Sequence, residues 1–182
     1  MRTKLRELRR SFSQSKQSRA GRQAAEHAQT LEQWQGAKNI AIYLDADGEL
    51  GTQAIIQAAL AQNKEIYLPV IGPKRTLAFA HWVTDQPLVG NALGISEPDP
   101  NATRCSIQGL DILFTPLVAW DKYGNRLGMG GGYYDRVLSG VTGPALIGLA
   151  HSEQEVKNVP SEHWDVILDA VITEQGIYHC HK

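Results

Sequence analysis

Apolar positions recur along this chain with two periods, and the switches between them set out the elements. Residues 2–12 place Leu5, Leu8 and Phe12 on one face at spacings of three and four, which predicts a helix. At about 100° per residue, Arg2, Arg6 and Arg9 form a second stripe roughly 100° round from the apolar one. These arginines flank the buried face, so they lean over the edge of whatever the helix packs on; a solvated face is the alternative. Ser11 and Ser13 interrupt the pattern, and a second, polar helix is expected over about residues 14–35, ending at Gly36. The body then alternates. Residues 39–44 predict a strand, residues 52–63 a helix with Thr52 as N-cap, and residues 65–70 a strand ended by Pro69 and the Gly72-Pro73 turn. Residues 77–82 predict a further strand, while residues 89–109 are rich in Gly, Pro, Asn and Asp and read as an excursion with little regular structure. Residues 111–115 form a buried strand continued by 117–120 past Pro116. A glycine-rich run opens a helix through residues 134–139, and residues 144–150 give another strand. Ser152 and Glu155 have the spacing of a capping box at the start of a short helix, and residues 170–173 supply a last strand.

Apolar strands separated by helix-length segments argue for βαβ units. The expected fold class is α/β, a mostly parallel sheet flanked by helices on both faces (three-layer α/β/α, Rossmann-like), with the basic N-terminal helices packed alongside. A single α/β domain over residues 1–182 is expected, with 1–36 as the helical segment and 37–182 as the sheet-forming body. Ligands of such sheets sit beyond the carboxyl ends of the strands. The glycine-rich run follows one strand and residues 45–51 follow another, so both can line one cleft.

That run carries the candidate chemistry. Gly128, Gly130, Gly131 and Gly132 leave a stretch of backbone almost without side-chain shielding, between Arg126 and the Tyr133-Tyr134-Asp135 triplet. Its amides can converge on an anion, a guanidinium can grip a phosphate oxygen, and a carboxylate can serve a hard metal ion. A flexible hinge is the bland alternative. The run is no Walker A loop, since no Lys follows the glycines. Its spacing is G-x-G-G-G rather than the dinucleotide G-x-G-x-x-G, and residues 121–126 separate it from its strand; Glu153, about 20 residues on, keeps a nicotinamide reading open.

Composition narrows the classes. With 42% hydrophobic and 20% charged residues the chain reads as globular and soluble, and no apolar run approaches a membrane span or a signal peptide. Cys105 and Cys180 match no disulfide or metal framework, so a reducing cytoplasm is expected. His179, Cys180 and His181 read as a frayed tail, because three consecutive residues cannot surround one ion. The net charge of −1 hides an asymmetry: the first 22 residues hold eight Lys/Arg against Glu7 alone, which leaves ten basic and eighteen acidic residues in the remainder. A basic arm on an acidic body suits either nucleic acid or an arm folded back onto an anionic ligand.

The segment from Phe114 to Arg136, including Asp121-Lys122-Tyr123-Gly124-Asn125 ahead of the glycines, resembles the signature of the 5-formyltetrahydrofolate cyclo-ligase family, also called methenyltetrahydrofolate synthetases. Leu5-Arg6 in the basic helix, residues 42–49, Tyr67-Leu68-Pro69 and residues 160–173 with Asp165 and Asp169 are similar to that family in order and spacing. The resemblance extends over nearly all of the chain.

It implies an enzyme that uses ATP, with Mg²⁺ as cofactor, to convert 5-formyltetrahydrofolate into 5,10-methenyltetrahydrofolate, releasing ADP and phosphate. Carried over residue by residue, it implies that Arg126, Leu127, Gly128, Met129, Gly130, Gly131, Gly132, Tyr133 and Tyr134 bind ATP together with Arg2 and Arg6. Arg126, Gly130 and Tyr133 would serve catalysis, Leu44, Glu49 and Tyr133 the folate, and Asp135 and Asp165 the metal. The family's loop often has a basic residue at the position of Met129 and a Lys at that of Gly131, so this chain lacks positive charge there, for which Arg136 is a candidate replacement. The partners implied are small molecules, with neither nucleic acid nor membrane, and the chain is expected to act as a monomer in the cytoplasm. The remaining alternatives are a coenzyme A or sugar-phosphate enzyme on a similar scaffold and a nucleic-acid-binding protein that uses the basic N-terminus.

Overall fold

Alternation within each strand fixes which way the sheet faces. Ile40 and Ile42 point into one core with Ile112, Phe114, Ile147, Leu149 and Ile172, while Ala41, Leu113, Leu146 and Val171 point into a second core on the other side. The structure, a computed structural model, describes residues 1–91, 94–162 and 164–180. Among the described residues the elements run α1 (Arg2–Arg10), α2 (Gln14–Ala28), α3 (Glu32–Gly36), β1 (Asn39–Ala41), α4 (Gln53–Ala61), β2 (Glu65–Ile71) and β3 (Leu77–Trp82). Next come β4 (Val89–Gly90), β5 (Ser96–Glu97), β6 (Arg104–Cys105), β7 (Ile112–Pro116), β8 (Ala119–Trp120) and β9 (Arg126–Leu127). The chain closes with α5 (Tyr133–Leu138), β10 (Ala145–Leu149), β11 (Ala170–Thr173) and β12 (Gly176–His179).

The main sheet has the order β12-β11-β10-β7-β1-β2-β3-β6. Pairings from β11 through β2 are parallel, and β12, β3 and β6 add antiparallel edges. The α/β class with a mostly parallel sheet is therefore as expected. Helices α2, α3 and α4 cover the first core, with Trp34 and Ile55 fully buried there; α5 and irregular chain around Leu117, Trp120 and Leu168 cover the second. Helix α1 packs Leu5 and Leu8 on the β8–β9 hairpin through Val118 and Leu127. No helix among the described residues is long and apolar enough to cross a membrane.

Several local expectations are corrected. The polar helix is two helices, α2 and α3: Thr30 Oγ1 donates to the His27 carbonyl at 2.7 Å, competing with the helical ladder, and the turn buries Leu31. Thr52 is not a side-chain N-cap; its backbone N–H and hydroxyl both donate to Asp45 Oδ1, at 2.9 and 3.1 Å. Residues 117–120 do not prolong β7: past Pro116 the chain turns back, and β8 pairs with β9 outside the main sheet. The short turn at residues 152–154 starts from His151, not Ser152, with Gln154 Oε1 accepting the His151 backbone N–H at 2.9 Å. The excursion contains the β4–β5 hairpin, β6 and a turn at residues 107–109; residues 92–93 lie outside the described residues. The C-terminus is not frayed at His179, which pairs with Ala170 in β12, while His181 lies outside the described residues. Pro69 sits inside β2 rather than ending it. Tyr67 accepts from the Ile42 N–H at 3.0 Å on the β1 side, and Pro69, two residues on, faces that side where β1 has already ended.

Candidate active site

The strand order reverses between β1 and β7: the chain passes from β1 out to β2, then returns to lay β7 on the opposite flank. The segments leaving β1 and β7 must diverge there, which opens a crevice beyond the carboxyl ends. A cavity of about 1000 Å³ occupies it, walled by Tyr43, Leu44 and Glu49 after β1, Pro116 after β7, the glycine run, and Asp165. That volume is at the upper end for small-molecule sites and accommodates two substrates side by side.

One wall is built of backbone. The N–H groups of Gly128, Gly130 and Gly131 donate to no acceptor among the described residues. Gly130 adopts φ +98°, a conformation that side-chain-bearing residues avoid, and Arg2 Nε anchors the loop through the Gly128 carbonyl at 2.8 Å. Gly132 begins α5. Arg126 lines the cavity with little of its side chain exposed, 4%, because Nη1 is on the Val166 carbonyl and Nη2 on Asp135 Oδ1, both at 2.5 Å. Leu127, Met129, Tyr133 and Tyr134 line the same cavity. Both tyrosines also pack against the second core. Met129 is half-exposed, with Sδ 3.9 Å from Arg9 Nη2.

The facing wall is loop 45–51, and arginines hold its shape. Asp47 has φ +55° and receives Arg6 Nε at 2.9 Å, Arg9 Nη2 at 2.8 Å and Arg10. Burial pushes the Asp47 carboxyl up, but hydrogen bonds from Arg6, Arg9 and Arg10 hold it well below the usual carboxylate range. Arg6 does not line the cavity, so reaching a phosphate would require it to exchange this partner. Glu49 does line it, with a side chain 12% exposed; Oε2 accepts the Ala46 N–H at 3.1 Å and Oε1 lies 3.4 Å from Arg9 Nη2. Burial raises its pKa against the attraction of Arg9. Asp165 lines the far side, with Oδ2 accepting the Glu162 N–H at 2.8 Å.

Three residues escaped sequence reasoning as site residues. Arg9 is fully buried and joins the walls, donating to the Asp47 and Leu117 carbonyls at 2.9 and 3.2 Å as well as to both acids. Its place in the arginine stripe was the available signal. Tyr43 projects beside the cavity a buried hydroxyl without a hydrogen-bond partner among the described residues, and no pattern marked it. Trp164 lines the cavity while 57% exposed.

With this geometry in hand, known proteins can be compared. The model of the 5-formyltetrahydrofolate cyclo-ligase family matches residues 1–174. The chain belongs to that family. Relatives named 5-formyltetrahydrofolate cyclo-ligase include the Haemophilus influenzae protein, 46% identical with 92% of each chain covered. The Escherichia coli K12 protein of the same name is 39% identical, covering 96% of this chain and 98% of its own. Among solved structures, Aquifex aeolicus 5,10-methenyltetrahydrofolate synthetase superposes with a TM-score of 0.86 at 28% identity, over 100% of this chain and 91% of that one. The synthetase from Mycoplasma pneumoniae shares the fold at 22% identity and a TM-score of 0.77, over 95% of this chain and 96% of its own. The cyclo-ligase family is thus matched in sequence and in fold.

Proposed function

We propose that the chain performs the ATP-dependent cyclisation of 5-formyltetrahydrofolate to 5,10-methenyltetrahydrofolate, with ADP and phosphate as the other products. The observation that carries this reading is the cavity itself: a wall of backbone donors unpaired among the described residues faces a largely buried carboxylate across a space large enough for two ligands.

A formamide is a poor electrophile because its nitrogen lone pair is delocalised. Attack of the formyl oxygen on the γ-phosphorus expels ADP and leaves an iminium phosphate. N10 then attacks the formyl carbon, the C–O bond breaks with departure of phosphate, and loss of the N10 proton completes the methenyl bridge. Such a transfer depends on positioning and on neutralising phosphate charge. The amides of residues 128–132 and the Arg2 guanidinium would cradle the phosphates, with Leu127, Met129, Tyr133 and Tyr134 around the nucleotide. Arg126 would hold the cradle and Asp135 in register, and Arg6 would reach ATP once released from Asp47. Gly130 would offer a bare amide, and Tyr133 an aromatic edge, at the point of transfer. Glu49 would accept the amidine-like N–H edge of the pterin, with Leu44 and Tyr133 against the ring.

Asp135 and Asp165 fit a magnesium ion. Each has one oxygen engaged, by Arg126 and by the Glu162 N–H, which leaves a second hard oxygen beside the cavity. Magnesium is typically held by one or two carboxylates plus substrate phosphates, and there it would supply charge neutralisation.

The nucleic-acid alternative weakens because half of the arm's eight basic residues are engaged internally: Arg6, Arg9 and Arg10 with Asp47, and Lys16 with Glu153. A monomer acting on small molecules in the cytoplasm is the reading that remains. The direct test mixes protein, Mg-ATP and 5-formyltetrahydrofolate and follows the methenyl chromophore. Absence of product with ATP intact rejects the proposal.

A further inference from the structure

A second convergence of side chains lies outside the cleft, at the carboxyl ends of β10 and β11. His151 is fully buried; the Gly48 backbone lies against its ring, and neither ring nitrogen makes a well-aligned hydrogen bond among the described residues. A ligand-capable nitrogen of His151 and one carboxylate oxygen each from Glu153 and Glu174 all lie within 4.8 Å of one another. None of the three lines the cavity of the proposed active site. An imidazole sealed from water without a well-made hydrogen bond on either nitrogen is costly, and such groups normally have a partner. Two carboxylates facing it supply the charge that a cation would complete.

We infer that His151, Glu153 and Glu174 form a binding site for a divalent transition-metal ion of the zinc class, separate from the magnesium site proposed in the cleft. Ligands around tetrahedral zinc at bonds of about 2.0–2.1 Å stand roughly 3.4 Å apart, so side-chain adjustments of about 1 Å close the present spacing. One nitrogen and two carboxylate ligands with an open position suit zinc, whereas magnesium and calcium prefer all-oxygen shells. Burial pushes the His151 pKa down against the opposing pull of Glu174, Glu153 and the Gly48 backbone, which favours the neutral imidazole that a metal requires.

The surroundings already orient the ligands. Glu174 accepts the Ser152 backbone N–H at 3.1 Å and the Ser152 hydroxyl, and Gln175 Nε2 donates to that hydroxyl oxygen at 3.0 Å. The His151 ring sits edge-on to Phe12, with centroids 4.9 Å apart. Lys16 contacts Glu153 and lies 3.5 Å above the Phe12 ring, so its ammonium occupies the place of the counter-cation. A bound ion would displace Lys16 and clip the 151–154 turn to the β11–β12 turn.

The test titrates chelator-stripped, full-length protein with Zn²⁺ by calorimetry, without nucleotide or folate, and follows Co²⁺ substitution by its visible absorption. Expected are one ion per chain with a micromolar or tighter Kd, a rise in Tm on binding, and no competition from millimolar Mg²⁺. Glu174→Gln, at a half-buried position, should weaken uptake by at least about tenfold, and His151→Gln should abolish it. Lys16→Gln should tighten it. Should His151→Gln not fold, Glu174→Gln and Glu153→Gln decide the matter alone. The inference is overturned by no uptake at about 100 μM Zn²⁺, by uptake unchanged in Glu174→Gln, or by uptake lost when His179 and Cys180 are replaced instead.

Discussion

Arg9→Met isolates the residue at which both walls of the cleft meet, because methionine keeps most of the buried length and removes the guanidinium. Four protein oxygens lose a donor: the Asp47 carbonyl at 2.9 Å, Asp47 Oδ2 at 2.8 Å, Glu49 Oε1 at 3.4 Å and the Leu117 carbonyl at 3.2 Å. Leu117 O keeps Gln154 Nε2 at 3.1 Å, and Asp47 keeps Arg6 and Arg10. Glu49 retains only the Ala46 N–H among the described residues. Breaking a buried ion pair costs about 3–5 kcal/mol when the remaining charge is stranded. Since Asp47 is re-partnered and Glu49 can take up a proton, the low end applies, about 3 kcal/mol. At roughly 2–4 °C per kcal/mol for a chain of this size, Tm should fall by about 6–12 °C. Glu49 also loses the attraction that opposes its burial, so its pKa rises further. The KM for folate at neutral pH should increase, and the acid limb of kcat/KM for folate should move to higher pH, with the KM for ATP changing little. Urea titration and a pH series of the chromophore assay measure both. A stability loss below about 1 kcal/mol together with an unchanged folate KM would refute the coupling of Arg9 to Glu49.

Glu49→Gln should raise the folate KM at least about tenfold and abolish that acid limb, because a neutral amide cannot accept both pterin N–H groups as a charged carboxylate does. The sign for stability is opposite: a raised folded pKa favours the native state at low pH, and that contribution is lost as pH rises through the folded value, so at neutral pH the variant should be no less stable than the parent. Asp135→Asn should lower kcat by about 100-fold, with partial recovery in excess Mg²⁺; unchanged turnover would discard the metal role. Gly48→Ala should cost about 2 kcal/mol or more in urea titration, because Gly48 has φ +73° and a Cβ would stand 2.8 Å from the Arg9 carbonyl oxygen. Wild-type stability in that variant would mean that loop 45–51 is free to move off α1.

Much of the architecture was legible because burial writes a period into the chain. The strands at Leu77–Trp82 and Ala170–Thr173 and the helix Gln53–Ala61 sit where the apolar pattern predicted them. What escaped was decided by contacts distant in sequence. The β8–β9 hairpin arises because Pro116 ends β7 and α1 offers Leu5 and Leu8 to cover it, a partner more than a hundred residues away. Arg126 reads as a phosphate fork beside glycines, yet burial turns it towards Val166 and Asp135. Asp47 drew no notice in the sequence, since nothing local signals that Arg6, Arg9 and Arg10 will converge on it.

The same contacts explain why a basic helix belongs to an acidic body. Loop 45–51 presents Glu49 to the cleft only in a conformation that needs φ +55° at Asp47 and close approach of Gly48 to the α1 backbone. A turn of that kind is unfavourable in isolation and persists when its surroundings over-determine it. Helix α1 does so through Arg6, Arg9 and Arg10, while its other face rests on the hairpin that leads into the glycine run, and Arg2 fixes the Gly128 carbonyl. One nine-residue helix therefore sets the distance between the folate wall and the phosphate wall. The charge asymmetry that first suggested an external polyanion is met in part within the molecule, by Arg6, Arg9 and Arg10 on Asp47 and Lys16 on Glu153, and its consequence is geometric: displacing α1 should disturb both substrate subsites together, whereas truncating Arg2, Arg6 or Arg10 should disturb the one wall to which that arginine is bonded.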